Sequence, residues 1–165
     1  MFNNSVLVDI QSEADKLRAQ TVIKGYETIG CDVINVGGFD MAAGMDYLQQ
    51  IVDSTDIPFI SANIIDSKTN RNLFPPHHII ENEGLSVGVI GLTDLVPPHV
   101  RRVKIEDFIT VGKAQIAELR NKVDIVVVLA NVNRDKNKLM NEEFTDADYV
   151  FLSRNPMRTR PGTEQ

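Results

Sequence analysis

The chain has 165 residues, with 17 Lys and Arg against 23 Asp and Glu, one cysteine and 42% apolar residues. This length fits one soluble domain that buries its own core. The formal charge of −6 argues against binding to nucleic acid, because such surfaces carry a clustered basic excess. One cysteine excludes a disulfide framework and a cysteine-rich zinc site. No apolar run reaches the roughly 18–20 residues that span a bilayer, so we expect no membrane insertion.

Short runs rich in β-branched residues alternate with amphipathic stretches along the chain. Several of these runs are almost continuously apolar, as in strands that are covered on both faces. The predicted strands are residues 6–10, 32–36, 58–61, 86–90, 124–129 and 148–152. A hairpin through residues 78–80 is expected within the turn-rich stretch before residue 86.

Helices are predicted between the strands. Ser12 and the acidic residues after it indicate an N-terminal capping box, and Gly30 ends the helix that follows. This helix has an apolar stripe that is expected to face the core, formed by Ala19, Val22, Ile23, Tyr26 and Ile29. Three further helices are expected at about residues 41–52, 111–122 and 134–143. The alternation predicts an α/β domain over residues 1–153 with a mainly parallel sheet flanked by helices, followed by a polar tail over residues 154–165.

Ligands of open parallel sheets bind at the carboxyl ends of the strands. The residues that follow the predicted strands include carboxylates, amides and an arginine. The candidate ligand-binding residues at these strand ends are Asp9, Gly37, Gly38, Asp40, Asn131, Arg154 and Asn155.

These candidates leave alternatives open. Gly37 and Gly38 form either an ordinary turn or a turn whose N–H groups bind an anion. Asp40 either caps the following helix or joins Asp9 and Asp94 around a single Mg²⁺ ion.

The histidines and the cysteine carry weaker signals. His77 and His78 are adjacent on an extended segment, so their side chains point to opposite faces and do not share a metal ion easily. His99 lies in a small basic loop, which is either a solvated loop or a contact for an anion or a partner. Cys31 is expected to pack as a small apolar residue. Since no histidine follows a predicted strand, no Ser–His–Asp or Cys–His catalytic arrangement is indicated.

Several segments, taken in order, resemble one known family. Residues 30–37 read GCDVINVG and are followed by Gly44; they resemble the GYDAVNVGNHEFDYG segment of the calcineurin-like metallophosphoesterases, in their 5′-nucleotidase branch. Further segments match the family in register. Residues 57–64 resemble the family segment FPVLSANI, and residues 73–76 with 84–93 resemble LFKPY…GVKVGVIGLT. Residues 117–129 resemble ELR…VDVVVVLSH, and residues 148–151 resemble the start of DVIIGGHSH. The resemblance implies a metallophosphoesterase-like sandwich of two sheets. It also implies strand-end loops that bind two metal ions, which activate water for attack on a phosphate ester.

The resemblance also shows which family residues are replaced. The Asn-His that follows the Gly of the first motif falls on Gly38-Phe39, and a later Ser-His falls on Ala130-Asn131. The last motif, Gly-His-Ser-His, falls on residues 153–156, the bridging carboxylate falls on Ser12, and the opening Asp-x-His-Gly has no counterpart. Since Phe39 cannot ligate a metal and the neutral oxygens of Asn131 and Ser12 are weak donors, we expect no di-metal centre.

These substitutions predict a catalytically degenerate 5′-nucleotidase-like domain that acts as a binding or assembly module without a cofactor. A truncated catalytic domain leaves sheet edges that a protein partner or a second copy of the chain would cover. The alternative is a divergent phosphoesterase in which Asp9, Asp40, Asn131 and Asn155 hold a single Mg²⁺ or Mn²⁺ ion. The first residues lack the pattern of a secretory signal, which favours a cytoplasmic location. A longer exported precursor would instead be periplasmic or extracellular.

Overall fold

The structure, a computed structural model, describes residues 13–153. Helices and strands alternate at both ends of this part of the chain, as predicted, and five consecutive strands lie between the second and third helices. In chain order they are α1 (Glu13–Ile29), β1 (Ile34–Asn35), α2 (Met45–Val52), β2 (Phe59–Ile60), β3 (Ile64–Asp66), β4 (His77–Asn82), β5 (Leu85–Thr93), β6 (Val103–Ile105), α3 (Phe108–Leu119), β7 (Ile125–Asn131), a short 3-10 helix (Arg134–Lys136), α4 (Asn137–Glu143) and β8 (Tyr149–Leu152).

The strands form one four-stranded sheet and two small ones. The large sheet has the order β4-β5-β7-β8, with parallel pairing of β5 with β7 and of β7 with β8. β4 is antiparallel to β5. The two are joined at Glu83 and Gly84, whose φ angles of 49° and 86° are those that a two-residue hairpin turn requires. β1 pairs with β2 in parallel, and β3 pairs with β6 antiparallel. The α/β class is therefore confirmed, with sheets that are mixed and not strictly parallel.

One face of the large sheet is covered by α3 and α4. Along β7, every second side chain is buried on this face, as expected for a strand with one face in the core. Asp107 caps α3, because its Oδ1 accepts the Thr110 N–H at 2.8 Å. The buried side chains of this core are Ala62, Ile90, Leu92, Phe108, Ile116, Leu119, Val126, Val128, Ala130, Val132, Met140 and Phe144.

A second core lies between α1, α2 and the small sheets. Its buried side chains are Ile23, Val36, Met41, Leu48, Ile51, Phe59, Ile64 and Phe74. Asn35 on β1 connects the two parts of the fold, because its Nδ2 donates to the Leu92 and Leu129 carbonyls at 3.0 Å each. These carbonyls belong to β5 and β7, so the β1–β2 sheet is held against the ends of both central strands.

Several element boundaries differ from those predicted. Met41 is buried but lies in a turn, and α2 begins only after Gly44, whose φ of 91° is not helical. α3 begins at Phe108 because Asp107 supplies its cap. β3 and β6 were not predicted from the sequence. The predicted strand at residues 6–10 and the capping residue Ser12 lie outside the described residues.

The apolar stripe of α1 is only partly in the core, contrary to the prediction. Ile23 is buried, but Tyr26 and Val22 are exposed over 40% and 52% of their surfaces, and Ile29 over 76%. These side chains leave an apolar wall open to solvent beside the strand ends. No helix in residues 13–153 combines the length and hydropathy needed to cross a bilayer.

Candidate functional site

The β1 loop, residues 37–44, leads from the end of β1 to α2. The Gly37 N–H donates to Asp40 Oδ2 at 2.7 Å, so this group is engaged within the loop instead of being directed at an anion. A Cβ atom on Gly37 would lie 2.7 Å from Asn131 Cγ. Glycine therefore lets the loop approach the end of β7. Gly38 is buried, and a Cβ on it would lie 2.9 Å from the side chain of Leu95.

The ends of β7 and β8 bring two more polar side chains to this loop. Asn131 Nδ2 donates to Ser153 Oγ at 2.7 Å. The Thr93 hydroxyl, at the end of β5, donates to the Asn131 carbonyl at 3.1 Å. Three neighbouring parallel strands thus end in a connected set of hydrogen bonds beside Asp40.

Asp40, Asn131 and Ser153 line one cavity of about 490 Å³, which we call the strand-end cavity. Apart from these three residues and Asn35, its wall is apolar or aromatic. The remaining lining residues are Ala19, Val22, Ile23, Tyr26, Ile34, Phe39, Ala43, Tyr47, Leu48, Ile51 and Phe59.

Asp40 is the acidic residue of this cavity. The residue as a whole is exposed, but protein atoms surround its carboxyl group. This desolvation raises the pKa of Asp40 above its ordinary value, while the hydrogen bond from the Gly37 N–H acts in the opposite direction. The carboxylate is thus held in place by the loop in surroundings that disfavour its charge.

Asp94 does not join Asp40. Its carboxylate accepts the Asn133 N–H at 2.9 Å and pairs with Lys136 Nζ at 3.0 Å, with the Asp94 side chain only 3% exposed. Asp9, the third acid of the predicted Mg²⁺ site, lies outside the described residues. Within residues 13–153, no group of three or more His, Cys, Asp or Glu side chains is arranged to hold a metal ion.

Two of the three histidines, His77 and His99, have hydrogen-bond partners. A hydrogen bond of 2.8 Å joins His77 Nδ1 to Gln115 Oε1 on α3. His99 Nε2 donates to the Ala42 carbonyl in the β1 loop at 2.7 Å, so His99 lies nearer to the strand ends than the sequence indicated. His99 also lines a second cleft, of about 640 Å³, together with Arg101 and Arg102. Arg102 is 3.9 Å from Asp66 in this cleft.

The fold is shared with solved structures of phosphoesterases. No protein-family model matches the chain. A 5′-nucleotidase precursor from Thermus thermophilus aligns with a TM-score of 0.72 and 19% identity over 82% of this chain and 28% of that chain. The calcineurin-like phosphoesterase YfkN from Bacillus subtilis aligns with a TM-score of 0.69 and 17% identity over 87% of this chain and 52% of that one. The fold is that of the calcineurin-like phosphoesterases.

Sequence relatives identify a narrower group within these phosphoesterases. A 5′-nucleotidase of Vibrio cholerae serotype O1 is 29% identical over 133 residues, which cover 76% of this chain and 24% of the relative. A 2′,3′-cyclic-nucleotide 2′-phosphodiesterase/3′-nucleotidase of Salmonella typhimurium is 32% identical over 129 residues, which cover 67% of this chain and 20% of the relative. The chain therefore belongs to the calcineurin-like metallophosphoesterase superfamily, in its 5′-nucleotidase branch. It spans only about a quarter of the length of these relatives.

The described residues do not fit the pair of metal ions that this family implies. Two divalent ions held close together need several imidazole or carboxylate ligands. The strand-end cavity offers one carboxylate, two amides, one serine hydroxyl and two tyrosine hydroxyls, and the Asn131 amide and the Ser153 hydroxyl are hydrogen-bonded to each other. Phe39, with no ligating atom, is 60% exposed in the cavity wall.

The structure brings together part of the predicted site. Gly37, Asp40 and Asn131 meet at the strand ends, whereas Gly38 packs against Leu95. Asp9, Arg154 and Asn155 lie outside the described residues. Sequence reasoning missed the apolar wall that α1 contributes. The α1 stripe has the width of one ordinary buried face, so the sequence carried no signal that part of it would line a cavity.

Proposed function

We propose that this chain is a catalytically degenerate member of the 5′-nucleotidase branch that acts as a binding or assembly module. The observation that supports this proposal is the composition of the strand-end cavity. Phe39 and Asn131 occupy strand-end positions where the resemblance implies histidines, and Asp40 is the one carboxylate among the described residues that line the cavity. Without a set of metal ligands, a hydrolase of this type lacks the group that activates its water.

The binding part of the proposal concerns the strand-end cavity. Asp40 and Asn131 lie on its polar side. Gly37 holds the Asp40 carboxylate through its N–H, and Gly38 packs against Leu95. Asp9, Arg154 and Asn155 complete the proposed ligand-binding set. The cavity volume of about 490 Å³ falls in the range of about 300–1,000 Å³ that is typical of small-molecule sites.

The assembly part concerns β8, which pairs only with β7 among the described strands. Its sequence is Tyr-Val-Phe-Leu, without the charge or proline that commonly protects an edge strand. Tyr149 and Phe151 are 56% and 57% exposed, and their rings stack at 6.3 Å. We propose a second copy of the chain as the partner, because an edge strand that pairs antiparallel with its own copy forms a self-complementary two-fold interface.

The catalytic part is tested with the purified chain and a generic phosphomonoester, with Mg²⁺, Mn²⁺ and Zn²⁺ added in turn. We expect no turnover with any metal and no metal-dependent rise in the melting temperature. A metal that binds only the folded state at 100 times its Kd stabilises it by about 2.7 kcal/mol, so binding would be easy to detect. Turnover that is abolished in Asp40→Asn and kept in the surface variant Asp56→Asn would contradict the proposal.

The same experiment tests the alternative function, a divergent phosphoesterase with a single metal ion. Asp40 and Asn131 line one cavity, and this observation favours a site for a single Mg²⁺ or Mn²⁺ ion over a two-metal centre. Under this alternative, Mg²⁺ or Mn²⁺ raises the melting temperature of the wild type and leaves that of Asp40→Asn unchanged.

The assembly part is tested by light scattering on a sizing column. We expect a dimer for the wild type and a monomer for Phe151→Lys, since a charge in the centre of the apolar edge opposes pairing. Leu139→Lys is the matched control, because Leu139 is an exposed apolar residue (41%) on α4. A monomeric wild type at high concentration would contradict this part of the proposal.

A further inference from the structure

We propose that the strand-end cavity binds a small organic cation, an ammonium group carried on an aromatic or aliphatic body. This inference rests on the proposed function, since it names the ligand class of the proposed binding site. It also assigns this chain a class of ligand that differs from the anionic phosphate esters that the names of its relatives indicate.

The charge of the cavity carries the first step. Among the described lining residues, Asp40 is the only one that is charged at neutral pH, and none is Lys, Arg or His. A phosphate ester would place negative charge beside this carboxylate, and no cation among the described lining residues offsets it. An ammonium group would instead neutralise Asp40 in surroundings where an unpaired charge is unfavourable.

The aromatic wall carries the second step. Tyr26, Phe39, Tyr47 and Phe59 contribute rings to the lining. Cations are attracted to the faces of aromatic rings by about 0.5–2 kcal/mol per favourable contact. A carboxylate and several rings around one cavity form a combination suited to a cation with an apolar body, and neither feature favours an anion.

The loop geometry carries the third step. The 2.7 Å hydrogen bond from the Gly37 N–H holds Asp40 Oδ2, which fixes the carboxylate before a ligand arrives. A preorganised acceptor lowers the entropy lost on binding.

Calorimetric titration with matched probes tests the inference. The probes share a phenyl group and differ in charge: 2-phenylethylamine, protonated at pH 7, 2-phenylethanol, and phenyl phosphate. We expect the amine to bind at least tenfold more tightly than the alcohol and phenyl phosphate to show no binding. Equal binding of the amine and the alcohol, or a preference for phenyl phosphate, would overturn the inference.

Variants locate the binding. Asp40→Asn keeps the shape and an oxygen acceptor for the Gly37 N–H, and we expect it to reduce the affinity for the amine about tenfold while leaving the alcohol unaffected. Asp56→Asn, an exposed carboxylate outside the cavity, is expected to bind the amine like the wild type. Loss of amine affinity in both variants, or in neither, would contradict the assignment to Asp40.

Failure of this inference is distinguishable from failure of the proposed function. If the amine does not bind and no phosphomonoester is hydrolysed, the organic-cation site is wrong and the degenerate module stands. If metal-dependent hydrolysis is found, the degenerate module is wrong whatever the amine does.

Discussion

Two asparagines on either side of Thr93 show how differently this fold uses the same side chain. Asn63 is fully buried; its Nδ2 donates to the Thr93 and Glu106 carbonyls at 2.7 and 2.9 Å, and its Oδ1 accepts the Thr93 N–H at 3.0 Å. Asn131, which accepts from the Thr93 hydroxyl through its backbone, directs its side chain to Ser153 at the surface of the strand-end cavity.

The comparison separates the scaffold from the site. The buried Asn63 amide joins three backbone segments. If this side chain is removed, its hydrogen bonds are lost without replacement. The Asn131 amide hydrogen-bonds one side chain, that of Ser153, and lines the strand-end cavity. We therefore expect substitutions near Asn63 to affect folding, and substitutions near Asn131 to affect binding.

The largest effect is expected for Asn63→Ala. It leaves the N–H and carbonyl of Thr93 and the carbonyl of Glu106 without their side-chain partner, and we expect a loss of about 3–5 kcal/mol in the free energy of unfolding. Urea denaturation measures this loss. Asn131→Ala is the paired control, with an expected loss below about 1 kcal/mol. Similar losses for both variants would remove the distinction between scaffold and site.

Gly91→Ala is expected to have the next largest effect. An added Cβ would lie 2.5 Å from Asn35 Oδ1 and 2.8 Å from the Ile60 carbonyl oxygen, and the backbone oxygen cannot move aside. We expect a loss of about 1–3 kcal/mol in the free energy of unfolding. Gly25→Ala, with open space around the added Cβ, is expected to stabilise α1 by about 1 kcal/mol. Urea denaturation of the two variants compares them directly.

Gly37→Ala tests the comparison between scaffold and site at a residue of the candidate site. The atoms nearest to its added Cβ belong to the side chain of Asn131, which can rotate away from it. We expect a loss below about 1.5 kcal/mol in the free energy of unfolding together with weaker binding of 2-phenylethylamine, because the β1 loop shifts. A loss of unfolding free energy as large as that of Gly91→Ala would show that the β1 loop belongs to the scaffold and not to the site.

The smallest effect is a pH dependence at Asp40. Desolvation raises the pKa of Asp40 in the folded state above 3.8, so the folded protein binds this proton more strongly than the unfolded chain. The wild type therefore loses stability as the pH rises from 3.8 through the folded-state pKa. Asp40→Asn is expected to gain stability relative to the wild type between pH 3.5 and pH 7, as measured by melting temperature.

Asp107 provides the contrasting control. The Thr110 hydroxyl and N–H lower the pKa of Asp107 below 3.8, so its charge contributes stability that is present above pH 3.8 and is lost as the pH falls through the folded-state pKa. Asp107→Asn is expected to lose stability relative to the wild type over the same rise in pH. The same sign for both variants would contradict the assigned surroundings of Asp40.

The sequence predicted the class of the fold because its strongest patterns are local. The continuous apolar run at residues 125–129 and the match at residues 84–93 correspond to β7 and β5 at the centre of the sheet. β3 and β6 are short strands of three residues each, and pairing between distant segments, rather than local propensity, defines them. The length of α2 was misjudged because Met41 is buried in a turn.

The candidate site was predictable in part for a similar reason. Gly37, Asp40 and Asn131 follow strands, and the topological rule for parallel strands places them together. The involvement of α1 depends on how the helix packs, which its periodicity does not determine. The pairing of Asp94 with Lys136 depends on the 3-10 turn after β7, a feature that the charge pattern alone does not indicate.

The double hydrogen bond of Asn35 also has a consequence for motion. A pair of strands with two residues each would separate readily on its own, but the Asn35 amide ties β1 to the ends of β5 and β7. Opening of the β1–β2 sheet therefore requires breaking contacts to the central strands. In hydrogen–deuterium exchange, we expect the Ile34 and Val36 amides to exchange as slowly as those of β5, and Asn35→Ala to release them selectively.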